Sequence, residues 1–262
     1  MPDTPIQESE GGNHMDNIYV TKSRLLEHIF GTYNWLRFGM AITAFAFPIL
    51  LWAWGRWYGL DLQGSMSAYY WASIEGDPPV RIWFVGIIFA IGSFLLLYKG
   101  YTIAEDLTLN GAAVLLILVA LFPMSWKCGS EFGFCQRPYL HSGFAIAFFA
   151  CIVYVALFQS GKTLDETTGG TPLREVYRYA YWATRASLVI FPLAAIIAHL
   201  LTRNWDKLTY WLELAGIWAF AFFWLVKSFE LWQAEKPVRQ AVVGLSPPSS
   251  YSRHRLLRLR RQ

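Results

Sequence analysis

Six long apolar blocks constrain this chain more than any other feature: Trp35 to Gly55, Ile82 to Gly100, Leu107 to Trp126, Tyr139 to Phe158, Ala180 to Leu201 and Tyr210 to Leu231. Each is close to the roughly 20 residues that a helix needs to cross the hydrocarbon of a bilayer. A bilayer offers no water to backbone N–H and C=O groups, so a spanning segment must satisfy them internally or within a closed barrel. The blocks are continuously apolar rather than alternating, which predicts helices and not barrel strands. The expected fold is all-α, a polytopic membrane bundle of six transmembrane helices. Composition agrees, with 55% of the 262 residues hydrophobic and 15% charged, against the roughly 25% charged of soluble domains.

The blocks divide the chain into three expected regions. Residues 1–34 read as a disordered N-terminus through about residue 17, followed by a short amphipathic helix over Lys22 to Tyr33 that carries Leu25, Leu26, Ile29 and Phe30 on one face. These residues are polar and hold no apolar core of a cleavable signal. Residues 35–232 form the transmembrane domain. Residues 233–262 form a tail with a Pro/Ser linker, Ser246 to Ser250, and five arginines between Arg253 and Arg261. Such a tail is attracted to anionic lipid headgroups at roughly 1 kcal/mol per basic residue. No folded domain accompanies it, so membrane lipids rather than nucleic acid are the expected partner.

Positive residues accumulate in cytoplasmic loops. In a six-helix weave, sixteen of the 22 Lys and Arg fall on the side of the termini and six on the other. This predicts both termini in the cytoplasm, with residues 56–81, 127–138 and 202–209 facing out. Compact loops suggest a bacterial inner membrane. Cys128 and Cys135 both fall in the second outward loop, where an oxidising compartment would allow a disulfide. Two thiolates with six residues between them, and His141 as the sole nearby imidazole, do not offer the four ligands of a structural zinc site. Cys151 lies within a span and reads as a small apolar residue.

Ionisable and polar residues at the edges of spans fall into two layers. The outer layer holds Ser65, Ser67, Tyr69 and Tyr70 in the first outward loop, His141 at the start of the fourth span, His199 at the end of the fifth and Glu213 at the start of the sixth. These residues could line one outward-facing pocket for a polar ligand. The same residue types also permit a hydrolase or transferase site in which an imidazole activates a hydroxyl beside a carboxylate. His, Tyr and Ser at a membrane interface equally form plain hydrogen-bond networks. The inner layer holds Lys99, Glu105, Asp106, Arg185, Lys227 and Glu230. Lys227, beneath the aromatic run Trp218 to Trp224, could serve as a cofactor lysine, but near the inner end it can snorkel or pair with Glu105 or Asp106, and structural ion pairing is favoured. Glu213 and Lys227 are fourteen residues apart on one helix, or roughly 21 Å at a 1.5 Å rise, and cannot share a site.

No glycine-rich phosphate loop, zinc-hydrolase helix motif or pair of cysteines two residues apart is present, so no metal or cofactor is expected. The apolar middles of the spans argue against a small-solute transporter.

Several runs resemble known membrane families: Leu36 to Met40, Ser65 to Tyr70, Arg81 to Gly86, Tyr98 to Tyr101, Asn110 to Ala112, Ala120 to Pro123 and His141 to Ala145. Their order around six spans is similar to DUF998-type membrane proteins and, more remotely, to the Frag1/DRAM/Sfk1 type, over about residues 33–232. The first resemblance implies no activity. The second implies lipid handling, membrane organisation or lipid-linked regulation, with no catalytic residues to carry over. The expectation is thus a non-enzymatic membrane protein with an outward-facing polar pocket concerned with lipids.

Overall fold

In a computed structural model, which describes residues 9–72, 80–124, 138–162, 164, 173–202 and 207–244, the chain is helical with no strand among the described residues. The helices are α1 (Ser9–Trp57), α2 (Arg81–Leu97), α3 (Ile103–Leu121), α4 (Pro138–Tyr154), α5 (Leu173–Thr202) and α6 (Leu208–Gly244). A 3₁₀ turn, Met66–Tyr70, lies between α1 and α2, and a π turn, Val155–Gln159, prolongs α4. Five helical stretches are long and apolar enough to cross a membrane: Leu25–Trp57, Ile103–Leu121, Tyr139–Lys162, Leu173–Leu201 and Leu208–Lys236. The expected second span is a shorter apolar helix of 17 residues that stops at Leu97 rather than Gly100.

The two ends depart from expectation. The stretch expected to be irregular before residue 17 is helical from Ser9 onward, and no break separates the expected amphipathic helix from the first span. Extending an existing helix needs no new nucleus, so a long apolar helix can carry polar residues ahead of it. For the same reason α6 continues past Leu231 to Gly244. The chain divides into two compact units, Trp35–Glu230 and a smaller one from the two ends, Met1–Asn34 with Leu231–Gln262. In the smaller unit Asn34 Nδ2 donates to Glu235 Oε2 at 2.9 Å. The basic tail from Arg253 and the cysteines Cys128 and Cys135 lie outside the described residues.

Within the larger unit α3 packs along both α2 and α4. Leu95, Leu109, Ala112, Ala113, Ile152, Phe223 and Trp224 are buried there. Apolar side chains face outward too: Ile42, Ile146 and Val189 are 60%, 70% and 64% exposed, as lipid-facing residues would be. Helix α5 is the least embedded, with 17% of its apolar window buried.

Local chemistry sets the ends that matter for the polar layers. Helix α1 closes with Gly59 at φ 78°, a left-handed conformation open to glycine at little cost. Gly59 N–H bonds Arg56 O at 3.0 Å and Leu60 N–H bonds Gly55 O at 2.9 Å, the paired bonds of a Schellman stop. The chain then folds back so closely that a Cβ on Gly55 would sit 2.7 Å from Tyr69 Cε1. Helix α3 opens with a Thr102 cap that accepts Glu105 N–H at 3.1 Å. In the π turn, Ser160 N–H bonds Val155 O, which leaves Ala156 O to other donors. Ser160 Oγ at 2.8 Å and Arg185 Nε at 3.1 Å supply them.

Candidate functional site

The loop between α1 and α2 lays the 3₁₀ turn over one end of the bundle. Tyr210 N–H fixes it by donating to Gly64 O at 2.9 Å. Trp71 Nε1 reaches Met124 O beyond α3 at 2.7 Å. Arg81 Nε donates to Tyr70 O at 2.9 Å, with its guanidinium 4.5 Å from the Tyr70 ring. Ser65, extended at φ −148°, caps the turn by accepting Ser67 N–H.

This geometry brings two hydroxyls to Glu213, and one of them also meets His141. Ser65 Oγ lies 2.9 Å from both oxygens of Glu213 and donates to the carboxylate. Met66 N–H adds a bond of 2.6 Å to Glu213 Oε2, short as charge-assisted bonds are. Ser67 Oγ also lies 2.8 Å from His141 Nε2. His141 Nδ1 faces two carbonyl oxygens, Phe122 at 2.8 Å and Val119 at 3.2 Å. A nitrogen between two acceptors must carry a proton, so the neutral ring has its lone pair on Nε2, and Ser67 donates to it. Val119 O has no helical partner because the residue four positions on is Pro123, which lacks an N–H. The His141 ring supplies the missing donor and ties α4 to the end of α3.

Behind this cluster lies a cavity of about 60 Å³, reached by Ser67 and Glu213 and otherwise lined by apolar side chains including Ile88, Ile91, Leu116, Phe148 and Phe220. The cavity runs among α1, α2, α3, α4 and α6. It has one polar end and one apolar body.

Four of the seven expected outer residues therefore converge: Ser65, Ser67, His141 and Glu213. The other three serve elsewhere. Tyr69 is buried against Gly55, and burial pushes its phenol above the usual range. Tyr70 holds Arg81. His199 bonds Ala195 O at 2.7 Å, one turn back, and lines a shallow groove with Trp211, Leu214 and Trp218. Its place in the outer layer followed from depth alone, and depth does not specify which face of a helix a residue occupies.

The inner layer likewise splits. Lys227 pairs with Glu105, not Asp106, and both side chains are fully buried. Asp106 pairs with exposed Lys99 and accepts Gly100 N–H at 3.0 Å. Glu230 accepts the Tyr181 hydroxyl. Arg185 serves the π turn, donating through Nη2 to Ser160 Oγ at 2.8 Å. Arg37, Tyr98, Tyr181 and Trp224, absent from the expected inner layer, are buried beside these groups. The Tyr98 hydroxyl and Trp224 Nε1 have no hydrogen-bond partner among the described residues. Among the described residues no three His, Cys, Asp or Glu side chains converge as a metal site would require.

What the outer cluster can do chemically depends on its donors. A serine and a histidine with a fixed tautomer are two parts of an acyl-transfer site. The third part is a set of free N–H groups aimed at the developing oxyanion. Here Met66 N–H is committed to Glu213, Ser67 N–H to Ser65 Oγ, and Ala68 N–H to Ser65 O at 3.1 Å. A carboxylate beside the hydroxyl would further oppose negative charge on a tetrahedral intermediate. Compared with protein-family models, curated proteins and solved structures, the chain matches none.

Proposed function

We propose that this chain is a non-enzymatic six-span protein of a bacterial inner membrane, with both termini cytoplasmic, whose outward end binds the polar part of membrane lipids. The observation that carries the lipid reading is the interlocked set Ser65, Ser67, His141 and Glu213 at the mouth of an apolar cavity. A polar rim over an apolar interior suits an amphiphile, and the backbone donors that catalysis would need are already in use. The sixteen-to-six distribution of basic residues supports the orientation. The resemblance of the Ser65 to Tyr70 and His141 to Ala145 runs to the DUF998 and Frag1/DRAM/Sfk1 types agrees with a role in lipid handling or membrane organisation.

Native mass spectrometry of the purified protein tests this reading. Wild-type protein should retain lipid, and His141→Ala should retain less or a different set. Equal lipid in both would refute it. One observation favours a second reading as a hydrolase or transferase: the 2.8 Å contact between Ser67 and the unprotonated nitrogen of His141. Under the first reading a fluorophosphonate should leave Ser67 unmodified. Covalent labelling at Ser67, abolished by His141→Ala, would decide for the second.

A further inference from the structure

The ligand class follows from the charge at the cavity's polar end, on the premise that the outer cluster binds lipid-like molecules. Glu213 lines the cavity and is held by the Ser65 hydroxyl and Met66 N–H, with no ion pair among the described residues. Two arginines of this end are engaged elsewhere. Arg81 is held by Tyr70 and Trp71, and Arg56 lies 3.5 Å from Asp61. Nε2 of His141 is turned toward Ser67. A carboxylate taken from water without a counter-charge is strongly penalised, and a cation beside it offsets that penalty. Ser65, Met66 and Ser67 together use three of roughly four acceptor positions on a carboxylate, so a place for one further N–H donor remains.

The size of the cavity narrows the cation. About 60 Å³ is less than half of the roughly 150 Å³ that admits benzene. It holds an ammonium and a few carbons, and it excludes a guanidinium stacked with a ring or a bulky quaternary head. The wall beyond the carboxylate is apolar, including Phe84, Ile88, Leu116 and Phe220, and favours an alkyl stem over a hydrated metal ion.

We infer that Glu213 is the recognition group for a primary alkylammonium, whose N–H groups meet the carboxylate at the polar end of the cavity. The ammonium can belong to a lipid headgroup or to a free amine, and the chemistry at Glu213 is the same.

The test uses full-length protein in nanodiscs of phosphatidylcholine and phosphatidylglycerol, with binding followed by thermal shift. The probes are n-hexylamine, n-hexanol, n-hexanoate and n-hexyltrimethylammonium at pH 7.5. Hexylamine should stabilise the wild type at a concentration at least tenfold lower than hexanol or hexyltrimethylammonium, and hexanoate should not stabilise it. Glu213→Gln should remove the preference for the amine. Equal effects of hexanol and hexylamine on the wild type, or an unchanged preference in Glu213→Gln, overturn the assignment. The wild-type series decides alone should the variant fail to fold. Adding phosphatidylethanolamine separates the two sources: loss of the hexylamine effect identifies the headgroup, and persistence identifies a free amine. Native lipid retention without any amine preference would overturn this inference and leave the lipid reading standing. Absence of both would sink both.

Discussion

Replacing Lys227 by Met probes the buried ion pair that joins α6 to the first turn of α3. Both Lys227 and Glu105 are 0% exposed. Glu105 also accepts Tyr101 N–H at 3.2 Å, so the carboxylate is fixed and cannot swing to water when its cation is lost. Removing one member of such a pair leaves an uncompensated buried charge, at a cost of about 3–5 kcal/mol. An exposed pair would cost about 0–1 kcal/mol. For a chain of this size the larger figure corresponds to a fall in the unfolding midpoint of about 6–20 °C. Purified Lys227→Met in detergent, followed by tryptophan fluorescence on heating, measures it. The double variant Lys227→Met with Glu105→Gln removes both charges and keeps an acceptor for Tyr101 N–H. It should recover at least half of the loss, so that in a double-mutant cycle with Glu105→Gln the two changes cost less together than the sum of the singles. A single variant within about 1 kcal/mol of wild type, the range of an exposed pair, would refute the reasoning. So would a double variant no better than the worse single one.

Other perturbations test separate parts of the structure. Gly55→Ala places a Cβ 2.7 Å from Tyr69 Cε1 and should destabilise by about 1–3 kcal/mol through overpacking, read as a lower unfolding midpoint in the same assay. Arg185→Leu removes one of two side-chain donors from Ala156 O and should cost about 0.5–1.5 kcal/mol while speeding amide hydrogen exchange around the π turn; unchanged exchange would exclude the proposed support. If residues 127–138 face an oxidising compartment, alkylation of denatured, unreduced protein should tag one thiol, Cys151, and reduction should raise the count to the three cysteines of the chain. Three tags before reduction would contradict a Cys128–Cys135 bridge.

The sequence makes the helices legible because hydrocarbon imposes a length and a polarity on every spanning segment, and that demand leaves a long, simple trace. Helix ends were less accessible. Asp106 and Glu105 are adjacent in the chain, yet the first turn of α3 sends one to Lys99 and the other into the bundle to Lys227. A one-residue step rotates a helix by about 100°, so neither spacing nor composition chooses between them. The same ambiguity separates His141 from His199. Arg37 was counted among cytoplasmic charges, but only 3% of it is exposed. The Leu36 to Met40 run carried no local sign of that burial. A clearer signal was available for His141: Pro123 deprives Val119 O of its partner, and a nearby imidazole is a natural donor.

The π turn has a consequence for how this chain can change length. Its i+5 bond means that α4 accommodates one residue more than a regular helix would hold over Val155–Gln159. Deleting a single residue there would restore the ordinary pattern and return Ala156 O to a backbone donor. Arg185 would then present its guanidinium, inside an apolar helix, to a carbonyl already occupied. The surplus residue and the arginine therefore act as one structural unit. A shortened variant should tolerate the deletion only with an uncharged residue at position 185, and an arginine kept there without the extra residue would be a defect.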